Sequence, residues 1–157
     1  MVTKEKTGVL LSSDRSMEIS LESIKNGNAG LNKHRLYLLS KVPASNEWHR
    51  FSKDSITIKD IAYLSAKTGH EFALLRGKKE DILYHGMKYY CNISGPLVDL
   101  LKNGHLRLIA HSHPAEHIPT PSVNDRKVLK LINQKESIII SAITGKEITF
   151  SSDRFEL

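Results

Sequence analysis

The chain has 157 residues, of which 39% are hydrophobic and 25% charged, and its formal charge is +6 at pH 7. This composition excludes a disordered chain, and the single cysteine excludes a disulfide framework. No apolar run is long enough to cross a bilayer and the N-terminus lacks the apolar segment of a secretory signal, so we expect a cytoplasmic protein that does not bind membranes.

The first 55 residues carry weak signals. Residues 9–11 and 17–21 have the pattern of short strands, and residues 26–30 are typical of a loop. Residues 36–42 read as a strand that ends before Pro43, and residues 48–51 as a strand edge. We interpret residues 1–55 as an N-terminal extension, which could add strands, cover a substrate groove or belong to a larger parent protein.

The signals are clearer in residues 56–157, which we predict to be the core. Thr57 is a good helix cap, and Gly69 stands where a helix end favours a left-handed residue. Strands are predicted at residues 71–75 and 82–86. Gly95 and Pro96 then open a helix that ends near residue 104.

The remainder of the core begins with a strand at residues 106–110, which leads directly into His111. A proline-containing loop and a helix at residues 122–133 follow, and two strands, 138–143 and 147–150, close the chain. The order β-α-β-β-α-β-α-β-β predicts an α/β or α+β fold, with a mixed central sheet flanked by helices.

His111 and His113 are the most informative pair. Side chains two residues apart on a strand point to the same side, so both imidazoles can reach one metal ion. Zinc accepts two histidines and a carboxylate, which leaves its fourth position to a water whose pKa falls to about 7. Asp125 can supply the carboxylate, because its helix begins shortly after the histidines.

Each of these residues also has a purely structural interpretation. A His-x-His pair on a strand is common, and Ser122 with Asp125 forms a helix capping box without any metal. The combination favours a site, because ligands bind beyond the carboxyl ends of strands in open α/β sheets.

The motif His111-Ser-His113-Pro, followed by Ser122-x-x-Asp125 and preceded by Glu71, resembles the JAB/MPN (JAMM) zinc metalloproteases. The resemblance covers about residues 56 to 150 and is closest to bacterial RadC-like members. It implies the JAB/MPN fold, with His111, His113 and Asp125 as ligands of one Zn²⁺ ion. It also implies that Glu71 is the general base and that Ser122 donates a hydrogen bond to the oxyanion.

Two features depart from the family pattern. Eight residues separate His113 from Ser122, one more than is usual, and the residues after Glu71 lack a glycine that many eukaryotic members have. If Glu71 were not the base, Glu116 would be the alternative carboxylate.

Three further residues have less specific signals. His117 could be a fourth ligand, bind substrate or be a solvated loop residue. His70 should face away from Glu71, and Cys91 reads as a small buried hydrophobe.

The sequence therefore predicts a zinc-dependent metallopeptidase or isopeptidase, of bacterial or phage type, that acts on a peptide or a ubiquitin-like protein. The alternative is a non-catalytic JAB-fold module that binds protein or nucleic acid. Nucleic acid is weakly supported, because the lysines are scattered and not interleaved with aromatic residues. A small-molecule hydrolase ranks last. The oligomeric state is open.

Overall fold

The computed structural model describes residues 23–152. In this range, none of the helices combines the length and the apolar character that a membrane span requires. From Lys33 on, the elements in chain order are α1 (Lys33–Lys41), β1 (Glu47–Ser52), α2 (Ile58–Thr68), β2 (Phe72–Arg76), β3 (Glu80–His85), α3 (Pro96–Lys102), β4 (Arg107–His113), α4 (Val123–Leu131), β5 (Glu136–Ser141) and β6 (Glu147–Ser151).

The six strands form one mixed sheet in the order β1-β3-β2-β4-β5-β6. Among the strands within residues 23–152, only the β4–β5 pair is parallel. Alternation along β2 divides the core, since Phe72 and Leu74 pack under α1 and α2 while Ala73 and Leu75 pack under α3 and α4. The predicted mixed sheet flanked by helices is confirmed, and the closer likeness to the JAB/MPN fold stays a prediction.

The prediction of a strand at residues 36–42 is wrong, because these residues belong to helix α1. The side chain of Asn32 accepts a hydrogen bond from the Arg35 amide and caps the helix. Leu38 is fully buried, whereas Leu36 and Tyr37 are exposed, which is a helical pattern and not the alternation of a strand. The exposed apolar side chains made the segment look like a continuous strand.

The other predicted elements from β1 onward are present, with ends shifted by a few residues. Thr57 forms a full capping box with Asp60, and Gly69 ends α2 with a φ of 78°. Pro96 stands at the start of α3 as predicted. The strands predicted at 9–11 and 17–21 lie outside the described residues, and the division at residue 55 stays a prediction. Residues 47–52 form an edge strand paired with β3.

The antiparallel pairing of β2 with β4 positions the functional side chains. Ala73 pairs with His111, so the residues just before β2 lie at the same sheet edge as the end of β4. The Ser112 hydroxyl strengthens this junction, because it accepts a hydrogen bond of 2.9 Å from the Phe72 amide. Glu71 and the two histidines therefore come together although forty residues separate them in the chain.

Candidate metal centre

The two imidazoles at the end of β4 lie side by side. His111 and His113 are both buried, and their Nε2 atoms are 3.2 Å apart. Ser112 lies between them and points to the opposite side of β4, as strand alternation requires. Its hydroxyl contacts the backbone of β2 there. The rings of Phe150 and His111 pack in a T-shaped arrangement, with 5.8 Å between the centroids. The arrangement presents two ring nitrogens to one point.

Asp125 supplies an oxygen at the same point. Its Oδ1 atom is 3.2 Å from Nε2 of His111, and its Oδ2 atom is 3.6 Å from Nε2 of His113. Ligand atoms that share a tetrahedral zinc ion at the usual bond lengths are separated by about 3.3 Å. The three side chains therefore have the spacing and the donor types of a zinc site.

Asp125 takes part in the cap of α4 and also faces the two histidines. Ser122 is the N-cap of α4, its side chain accepts a hydrogen bond from the Asp125 amide, and Asp125 Oδ2 accepts one of 2.8 Å from the Ser122 amide. This leaves Oδ1 directed at His111. Burial opposes ionisation of Asp125, but the hydrogen bonds to both imidazoles hold its pKa far below the usual range. The cap fixes the carboxylate in position and leaves Oδ1 facing His111.

Glu71 lies in the same pocket, immediately before β2. It is 7% exposed, and single donor atoms of Glu71, His111 and His113 all lie within 4.8 Å of one another. Burial raises the pKa of the Glu71 carboxyl to about 7, the charge of His113 opposes this shift, and the charge of Asp125 adds to it. A carboxyl with this pKa can accept and return a proton near neutral pH.

A third carboxylate lies behind His113. Glu116 Oε1 is 2.7 Å from Nδ1 of His113, on the side of the ring away from His111. Burial would lower the pKa of His113, but hydrogen bonds to Asp125 and Glu116 outweigh it and raise the pKa to about 9. Three acidic groups surround two imidazoles, so the negative potential favours a cation at this point.

The site opens into a cleft of about 870 Å³. Ser122 lies at its rim and is exposed, while Tyr89 and Tyr90 line the wall and are 74% and 52% exposed. The Ser122 oxygen accepts from the Asp125 amide, which leaves its hydroxyl hydrogen free to be donated into the cleft.

All five residues singled out from the sequence line this cleft: Glu71, His111, His113, Ser122 and Asp125. Their assignment as ligands, base and oxyanion donor stays a prediction. Glu116, considered above as an alternative base, contacts the far nitrogen of His113 instead. No sequence signal indicated this contact, because it depends on how the loop after β4 folds.

The remaining candidates lie around this group. His70 Nδ1 is 2.8 Å from Nε2 of His85, so its ring interacts with β3 and not with the two histidines of β4. Cys91 packs against the core beside α3, and burial raises the pKa of its thiol well above the usual value. His117 is half-buried, and its backbone oxygen accepts a hydrogen bond from Thr144.

Comparisons of the chain with models of known protein families, with curated proteins and with solved structures found no match.

Proposed function

We propose that the protein is a zinc-dependent peptidase or isopeptidase that hydrolyses an amide bond in a polypeptide. The observation that carries the proposal is the convergence of three donor atoms, from His111, His113 and Asp125, at separations of 3.2 to 3.6 Å. A buried carboxyl, Glu71, lies beside them. This is the donor set of catalytic zinc sites, in which three protein ligands leave one position open.

The chemistry divides among the residues of the cleft. Zinc held by the three ligands would lower the pKa of water to about 7 and polarise an amide carbonyl. Glu71 takes a proton from the attacking water as the new carbon–oxygen bond forms. It returns that proton to the leaving nitrogen as the carbon–nitrogen bond breaks, so the products are a carboxylic acid and an amine.

Ser122 and the cleft walls complete the proposed site. The Ser122 hydroxyl donates toward the oxygen that becomes negative in the transition state, where such donors are worth about 3–4 kcal/mol. The exposed Tyr89 and Tyr90 provide flat apolar surface for an extended substrate. A peptide or the tail of a ubiquitin-like protein is the substrate class that the resemblance to the JAB/MPN enzymes implies.

Elemental analysis tests the metal centre. We expect one zinc ion per chain in protein that has been dialysed after exposure to zinc, and loss of that zinc in His111→Ala and His113→Ala. His105→Ala is the matched control, since His105 is exposed at the start of β4. Absence of zinc from the wild-type protein would remove the basis of the proposal.

Turnover tests the hydrolase assignment and the role of Glu71. The substrates are ubiquitin with an amide-linked fluorophore at its C-terminus and a peptide with the same group. We expect release of the fluorophore that a chelator abolishes and zinc restores, and Glu71→Gln should retain zinc without turnover. If Glu71→Gln loses zinc, Glu71 is a ligand and not the base. Zinc-loaded protein that cleaves neither amide would contradict the hydrolase and favour a binding module.

A further inference from the structure

Glu116 makes three contacts that hold it between β4 and β5. Its Oε1 atom is 2.7 Å from Nδ1 of His113 and also accepts a hydrogen bond of 3.0 Å from the Thr120 amide. Its backbone oxygen accepts a hydrogen bond from the hydroxyl of Ser141 on β5. The position of this side chain is therefore determined from both ends of the loop at residues 114–121.

The contact to His113 decides which ring nitrogen carries a proton. An imidazole that offers the lone pair of one nitrogen to a metal keeps its single N–H on the other nitrogen, and an ionised carboxylate can only accept. Oε1 of Glu116 already accepts a hydrogen bond from the Thr120 amide, so the same oxygen acts as an acceptor toward Nδ1 of His113. Nδ1 of His113 then carries the proton, and the lone pair stays on Nε2, the nitrogen that lies between His111 and Asp125.

We propose that Glu116 is a positioning residue, which selects the Nδ1–H form of His113 and directs Nε2 at the metal. This inference rests on the proposed metal centre but gives Glu116 a role, beside His113, that neither the motif nor its spacing indicated. Carboxylates often hold the second nitrogen of a metal-binding histidine in this way, and they raise the basicity of the ligand nitrogen.

The same contact closes the loop between His113 and Ser122. The segment between His113 and Ser122 is one residue longer than the resembling motif has. Glu116 bridges His113 and the Thr120 amide, which draws the two ends of the loop together just before the cap of α4. The extra length thus does not separate Asp125 from the histidines, as the 3.2 Å contact to His111 demonstrates.

Zinc affinity measures this role without any substrate. The experiment titrates the full chain with zinc in competition with a chromophoric chelator. We expect Glu116→Ala to weaken zinc binding about 10–100-fold. Glu116→Gln should weaken it less, because the amide oxygen can still accept from Nδ1. Glu136→Gln is the matched control, since Glu136 is exposed at the start of β5, and its affinity should equal that of the wild type.

Proton NMR of the zinc-loaded protein provides a readout that a merely structural contact would not move. The Nδ1–H proton of His113 should give a protected, downfield signal in the wild type, and this signal should be lost in Glu116→Ala. Unchanged zinc affinity in a folded Glu116→Ala protein would overturn the proposal, as would equal losses in the Ala and Gln variants. If the wild type itself fails to bind zinc, the metal centre fails, and that result is distinct from a failure of the Glu116 role alone.

Discussion

Two helices of the molecule begin with the same capping motif, and their aspartates have different surroundings. Thr57 and Asp60 cap α2, and Ser122 and Asp125 cap α4, each with both hydrogen bonds of the capping box. In each box the aspartate Oδ2 atom accepts from the backbone amide of the cap residue. The local chemistry is the same at the two helix ends.

The side chains that contact the two aspartates in the folded protein are different. Asp60 contacts Arg35 Nε at 3.2 Å and His34 Nε2 at 3.1 Å, both on α1. Arginine is a permanent cation, so the charge of Asp60 is balanced within the fold. Asp60 therefore joins α1 to α2, which is a structural role.

Asp125 instead meets imidazoles and further acids. Its oxygens face His111 and His113, and Glu71 and Glu116 lie around the same rings. Unlike arginine, a histidine can give up a proton and offer a nitrogen lone pair, so this helix end can accept a bound cation. The comparison teaches that a capping aspartate becomes a candidate ligand when nitrogen donors face its free oxygen and its ion pairs within residues 23–152 are to histidine.

The largest expected difference between the two helix ends is in zinc affinity, when Asp125 or Asp60 is replaced by alanine. We expect Asp125→Ala to weaken zinc binding by more than about 100-fold. This loss is larger than the one expected for Glu116→Ala, because Asp125 would contact the metal itself and Glu116 only holds a ligand. Asp60→Ala should bind zinc as the wild type does, since its carboxylate contacts α1 and not the cleft. Chelator competition measures both. Wild-type zinc affinity in Asp125→Ala would show that this carboxylate only caps its helix.

The two cap hydroxyls provide the next test. Ser122→Ala and Thr57→Ala should each lower the free energy of unfolding by about 1 kcal/mol, because each removes an N-cap acceptor. Only Ser122→Ala should also lower kcat, by about 100- to 1000-fold, with zinc retained, because only Ser122 faces the cleft. Chemical denaturation and steady-state kinetics measure the two effects. Equal kcat in both variants would remove Ser122 from the proposed mechanism.

The structural aspartate should have a distinct pH signature. Burial opposes ionisation of Asp60, but hydrogen bonds from Thr57 and Arg35 outweigh it and lower its pKa. A lowered folded-state pKa adds stability that is complete above the unfolded value of about 3.9 and is lost as the pH falls through the folded value. Asp60→Asn should therefore cost about 2 kcal/mol at pH 7.

That cost should shrink steadily below about pH 4, since the wild type then loses the charge that the variant lacks. Denaturation curves across this range measure it. Asp54→Asn is the control, because Asp54 is 71% exposed and its contact with Arg76 is screened by solvent. A cost for Asp60→Asn that does not change with pH would mean that packing, and not charge, holds α1 to α2.

Some contacts of the candidate site could be predicted from the sequence, and others could not. The placement of His111 beside His113 and the capping box of Ser122 and Asp125 follow from local periodicity. The return of Asp125 to the histidines was expected only from the combined motif and the resemblance. The approach of Glu71 depends on the register of β2 against β4, and the Glu116 contact depends on loop closure. Local patterns do not encode either contact. The error at α1 has a similar origin, because its exposed Leu36 and Tyr37 hide the helical pattern.

The smallest effect is expected at the histidine that faces Asp60. His34 is 43% exposed and Arg35 remains on the same carboxylate, so His34→Ala should lower the free energy of unfolding by less than about 1 kcal/mol. His111 has the corresponding position beside Asp125, and its removal should abolish zinc binding. If His34→Ala destabilised the fold as much as Asp60→Asn does, His34, Arg35 and Asp60 would act as one cooperative network. The aspartate at the start of α2 would then depend on its histidine, as Asp125 does in the candidate site, although Arg35 supplies a permanent cation.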